Sequence, residues 1–184
     1  MLRPVDSPTR TPRACTPLAL ALLLAASACA GTGDTDRMKT QTPRQAADEL
    51  LPQVESALAG AAIVREKFEV RANRCEGREG ETRDDLFYVW VGLRASVPGN
   101  DAAAQVAAAH ARWQAAGWEI TRFRTLANGG VNLAATDPAT GNGYVLDSGF
   151  DPAPQGYVVG FFNTPCRQSA EGPVAFGPLP APGG

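Results

Sequence analysis

Histidine is almost missing from this 184-residue chain: His110 is the only one. With four widely spaced cysteines beside it, the chain has too few soft ligands for a zinc site, and no metal is expected. Lysine is nearly as scarce. Of 17 basic residues only Lys39 and Lys67 are lysine, and 19 acidic residues bring the formal net charge to −2. Nucleic-acid binding needs a concentrated basic patch, which this sequence lacks. No apolar run reaches the roughly 20 residues of a membrane-spanning helix. The glycines form neither a P-loop nor a dinucleotide fingerprint, so no cofactor is expected.

What is present begins with a leader. Arg3, Arg10 and Arg13 precede the short apolar stretch Leu18 to Ala26 (LALALLLAA), which has the length of a signal-peptide core. Three cut sites compete. Ala26-Ser27-Ala28 and Ala28-Cys29-Ala30 both fit the small-x-small pattern of secretory cleavage, the first leaving Cys29 at the new N-terminus and the second discarding it. The third reading rests on Ala26-Ser27-Ala28-Cys29, which resembles the lipobox of bacterial lipoproteins, with Ala26 where that family prefers leucine. The resemblance covers about a dozen residues ending at Cys29, and the arginine-, alanine- and proline-rich usage is similar to that of small actinobacterial lipoproteins. It implies a diacylglycerol on the Cys29 thiol and an extracytoplasmic address at the cell membrane. Cysteine parity supports it: Cys15 leaves with the leader, Cys75 and Cys166 can pair in an oxidising compartment, and Cys29 is left over.

The expected organisation is a signal peptide over 1–28, a flexible tether over 29–41, one domain over 42–167 and a disordered Pro/Gly-rich tail over 168–184. Within the domain, Thr42-Pro43-Arg44-Gln45 has the form of a capping box. Ala47, Leu50, Val54, Ala57 and Ala61 continue it as one apolar stripe, with Pro52 expected to kink or split the helix. Arg65 to Arg74 alternates with Phe68, Val70 and Ala72 inward, and Leu86 to Val97 alternates with Phe87, Val89, Val91 and Leu93 inward. A second helix is capped by Asn100 or Asp101, carries Ala102, Val106, Ala109, Trp113 and Ala116 on one face, and ends at Gly117. Four more strands follow, Trp118 to Leu126, Val131 to Thr136, Tyr144 to Phe150 and Gly156 to Phe162. The fold class is therefore α+β: a mostly antiparallel sheet of about six strands with two helices on one face.

Catalytic readings are thin. His110 has no nucleophile motif around it and reads as a helix-edge residue packed on Trp113. Asp84 and Asp85 are adjacent and point to opposite faces of a strand. Asp137, within the turn DPATGNG, lacks the spacing of a calcium loop. Asp147 and Asp151 are the acids an envelope hydrolase or transferase would use. Tyr88 and Trp90 would lie on the sheet face away from the helices, together with one set from Val158, Gly160 and Phe162. An exposed patch of this kind would suit a peptide, glycan, lipid or envelope protein, but the favoured reading is that the tail, a loop or a strongly curled sheet covers it as a second small core. The favoured expectation is a membrane-tethered, non-enzymatic binding domain, with no nucleic-acid partner.

Overall fold

The capping box forms as its residues dictate. Thr42 Oγ1 accepts from the Gln45 N–H at 3.1 Å, and Gln45 Oε1 accepts from the Thr42 N–H at 2.9 Å. From there α1 runs over Pro43–Leu58, burying Ala46, Ala47, Leu50, Val54 and Ala57. It passes through Pro52 without splitting, and that residue sits on the exposed side of the helix. The Thr42→Ala variant should lose about 1 kcal/mol of stability, read as a lower urea midpoint at unchanged slope.

The computed structural model describes residues 38–77, 79–150 and 156–180. The leader, most of the tether with Cys29, and Asp151 fall outside the described residues. The chain order is β1 (Thr40–Gln41), α1, β2 (Val64–Glu76), β3 (Thr82–Ser96), a 3-10 turn (Pro98–Asn100), α2 (Ala102–Ala115), β4 (Glu119–Thr125), β5 (Val131–Thr136), β6 (Gly143–Asp147), β7 (Tyr157–Asn163), β8 (Arg167–Ser169) and β9 (Gly177–Pro178). All nine strands belong to one sheet, antiparallel except where β1 joins β8. The long strand β3 is its spine. One edge of β3 pairs with β2; the other pairs with β8 at Leu86 and Phe87 and with β7 from Trp90 to Ser96. Then β6, β5 and β4 follow in meander order. The fold class is as the sequence indicates, with β1, β8 and β9 as short additions.

One hydrophobic cluster lies between the helices and one sheet face. It contains Leu50 and Val54 of α1, Val106, Ala109 and Trp113 of α2, and Phe87, Val89, Val91 and Leu93 of β3. The expected inward set of β3 is thus correct. In β2, Val70 and Ala72 are buried, but Phe68 is 37 % exposed although it pairs with the inward Leu93. Phe68 lies beyond the stretch of β2 that β9 covers, and the Arg65 guanidinium sits 5.2 Å from its ring centre.

Helix α2 ends as Gly117 requires. That glycine has φ +79°, its N–H reaches the Gln114 carbonyl, and the Trp118 N–H reaches the Trp113 carbonyl, a Schellman closure. At the other end Asp101 occupies the N-cap position, but its side chain makes no capping hydrogen bond.

Two segment readings need correction. Residues 168–180 are ordered: β9 pairs with Arg71 and Ala72, and the Leu179 N–H donates to the Val70 carbonyl. Val174, Phe176 and Leu179 pack against the core, so this stretch has enough apolar surface to hold its place despite its prolines and glycines. The end of the tether is also fixed, since Thr40 and Gln41 pair with Gln168 and Ser169.

Candidate functional site

Strand parity decides what the open face of the sheet carries. Pairing sets Trp90 opposite Asn163, Gly92 opposite Phe161, Arg94 opposite Val159 and Ser96 opposite Tyr157. Val158, Gly160 and Phe162 pair with Ala95, Leu93 and Val91 and so face the helices. The expectation that they join Tyr88 and Trp90 is corrected: neighbours in a strand alternate faces, and the open-face set is Tyr157, Val159 and Phe161.

On that face the Trp90 indole lies over Gly92. A Cβ built on Gly92 would meet the Trp90 ring at 2.1 Å, so the ring rests on bare backbone that any larger residue would occupy. Phe161 stacks on Trp90 with centroids 5.8 Å apart and planes 27° from parallel. Phe150, 59 % exposed, meets Phe161 edge-on at 6.0 Å. Arg94 lies 4.0 Å from the centre of the Tyr157 ring. Two shallow hollows flank Trp90. One, of 480 Å³, is edged by Lys67, Glu69, Arg94 and Phe161; the other, of 440 Å³, is edged by Tyr88, Asn163 and Pro165. Tyr88 and Trp90 are both half-buried, with Trp90 shared by the two hollows. The apolar side chains of the 168–180 stretch, Val174, Phe176 and Leu179, pack against the core cluster.

The candidate acids among the described residues each have an ion-pair or hydrogen-bond partner. Asp84 pairs with Arg74 at 2.9 Å and Asp85 with Arg83 at 2.6 Å, which holds the Asp85 carboxyl below its ordinary range. Asp137 accepts from the Ala139 N–H and the Thr140 hydroxyl within its turn. Asp147 accepts from Asn132 and from the Gly149 N–H. His110 stacks on Phe123 of β4 at 3.8 Å, nearly parallel. The side chains that flank a helical position in sequence do not reveal which strand passes beneath it. Among the described residues no three His, Cys, Asp or Glu side chains gather as a metal site would need.

Cys75 and Cys166 form a disulfide, with Cα atoms 6.1 Å apart. Arg167, the residue after Cys166, lines a second concavity that the sequence did not suggest. A polar cleft of 270 Å³ lies between α1, the β5–β6 turn and the segment from Thr164 to Arg167, and its walls include Lys39, Glu49, Gln53, Asn142 and Arg167. Lys39 contacts Glu49 at 2.7 Å and Gln41 donates to the same carboxylate. The Lys39 hydrogen bond holds Glu49 below the ordinary carboxylate range against the opposing effect of partial burial. Burial lowers the Arg167 guanidinium from its usual range, with Glu49 acting against that shift. Beneath them the Tyr144 hydroxyl, raised above its ordinary value by burial, donates to Gln53 Oε1 at 3.1 Å. The sequence marks Leu50 as a core residue of a helix and Asn142 as part of a turn, but nothing local in it brings Glu49, Gln53 and Arg167 together. Compared with known proteins, the chain matches no family model, no curated protein and no solved structure.

Proposed function

We propose that this chain is a lipid-anchored, extracytoplasmic binding domain of the bacterial cell envelope, non-enzymatic, that holds a glycan on the open face of its sheet. The observation that carries the reading is the Trp90 ring resting over Gly92 and stacked on Phe161. A ring lying along a sheet offers a flat apolar platform to the C–H face of a sugar, and Lys67, Glu69, Arg94 and Asn163 around it offer donors and acceptors for hydroxyls. A peptide adding as a strand needs an unpaired edge, whereas β3 is paired on both sides here. A lipid tail needs an enclosed apolar cavity, whereas these hollows are shallow and carry charged groups at their rims.

The address rests on Cys29 as the acylated residue, and the disulfide supports an oxidising compartment. No helix among the described residues is long and apolar enough to cross a membrane. Mass spectrometry of the mature N-terminus tests the anchor: a diacylglyceryl adduct on Cys29 is expected, and an unmodified Cys29 or Gly31 there would overturn it. Binding is tested with oligomers of N-acetylglucosamine and of mannose, followed through the Trp90 indole N–H resonance. Trp90→Ala should weaken binding by about tenfold or more, the scale of a central aromatic anchor. Equal binding by wild type and Trp90→Ala, or no binding by either, would refute the glycan face.

A further inference from the structure

The polar cleft stands apart from the aromatic face and carries its own argument. Asn142 is only 3 % exposed and its Oδ1 has no hydrogen-bond partner. The orientation of its amide is set from below. Asn142 Nδ2 donates to Gln53 Oε1, which also accepts from the Tyr144 hydroxyl, and this arrangement leaves the Oδ1 of Asn142, a residue of the cleft wall, without a partner. Across from it, Arg167 has a buried Nε without a partner and makes no ion pair at contact distance among the described residues. An unpaired buried acceptor and an unpaired buried guanidinium donor in one concavity are both costly unless a ligand or solvent completes them.

Their chemistry is complementary to a particular pair of groups. A guanidinium presents a fork matched to a carboxylate, and a bare amide oxygen requires an N–H or O–H. Lys39 and Glu49 add one charge of each sign, so the cleft wall carries a net positive charge while still offering a carboxylate to an ammonium. Its 270 Å³ lies just below the range of drug-sized pockets, which limits the occupant to a small metabolite. We infer that the cleft bounded by α1, the β5–β6 turn and β8 binds a small carboxylate that also bears a hydrogen-bond donor, with the dimensions and chemistry of a free amino acid or hydroxy acid. Arg167 holds the carboxylate and Asn142 Oδ1 accepts from the amino or hydroxyl group. An ammonium would also draw on Glu49, whereas a hydroxyl would not.

Calorimetric titration of the full chain with L-alanine, L-serine, lactate and acetate tests the assignment. At least one donor-bearing probe should bind with a Kd of about 1 mM or tighter, and acetate should bind about tenfold more weakly. Preference for the amino acids over lactate would assign the donor to an ammonium, and the reverse order would assign it to a hydroxyl. Arg167→Gln should weaken every probe by about tenfold or more, while Asn142→Ala should erase the advantage of the donor-bearing probes over acetate. Arg167 lies on a short strand and is partly exposed, so its variant keeps the test open should Asn142→Ala fail to fold. Trp90→Ala should leave this binding unchanged, which separates failure of the cleft from failure of the glycan face. No saturable heat with any probe, or binding that survives Arg167→Gln intact, would overturn the inference.

Discussion

Removing the Cys75–Cys166 bridge, by reduction or as the Cys75→Ser/Cys166→Ser pair, should lower the unfolding free energy by about 4 kcal/mol. The two cysteines are 91 residues apart in sequence, so the bridge closes a loop containing most of the domain and restricts the unfolded chain strongly. In a chain of this size that loss corresponds to a fall in Tm of roughly 10 °C. The effect is also local. Cys75 is buried near the end of β2, and Cys166 stands immediately before β8, whose pairing with β3 covers only Leu86 and Phe87. Without the bridge, β8 depends on that short ladder and on its equally short pairing with β1. Reduced protein should therefore lose hydrogen-exchange protection first at Arg167 to Ser169, before the β5–β6–β7 meander opens. A reduced midpoint equal to the oxidised one would show that the native contacts alone hold this region.

The disulfide was legible because only two cysteines of the expected mature domain could form it. The parity of β3 was legible for a similar reason: Phe87, Val89, Val91 and Leu93 alternate with Tyr88, Trp90, Gly92 and Arg94, a pattern that admits one inward set. In β7 the run Tyr157 to Phe162 is apolar at nearly every position, so composition alone admits either set. There the register with β3, a property of pairing between distant segments, makes the choice. The 168–180 stretch was obscured by averaging. Its prolines and glycines dominate the composition, while Val174, Phe176 and Leu179 are what pack against the domain. The cleft was hidden more completely. Its walls come from positions 39 to 167, and no local pattern marks residues brought together only by the closure of the sheet.

One residue connects the two halves of this architecture. The Tyr144 ring is buried in the aromatic core, while its hydroxyl supports Gln53 at the floor of the cleft. The packing of the core thus sets the position of the Asn142 acceptor, and the site is no more rigid than the cluster beneath it.

That dependence makes Trp113 the position with the second large expected effect. Its ring is 2 % exposed, 5.1 Å from Trp118 and 5.9 Å from Tyr144, while Trp118 and Tyr144 are themselves 4.4 Å apart. Its Nε1–H donates to the Ala57 carbonyl at 3.1 Å. Ala57 lies in the last turn of α1, where carbonyls lack helical partners, so Trp113 both fills the core and closes the end of the other helix. Trp113→Ala should cost about 3–5 kcal/mol through the cavity and the lost hydrogen bond together. Trp113→Phe keeps most of the packing but leaves the Ala57 carbonyl unpaired, and should cost about 1–3 kcal/mol. Guanidinium unfolding of the two variants separates these contributions. A Trp113→Phe variant as stable as wild type would assign the whole effect to packing and remove the inter-helix hydrogen bond from the account. An alanine variant that folds should also move the Tyr144 ring resonances, because the space left by Trp113 opens directly against that ring.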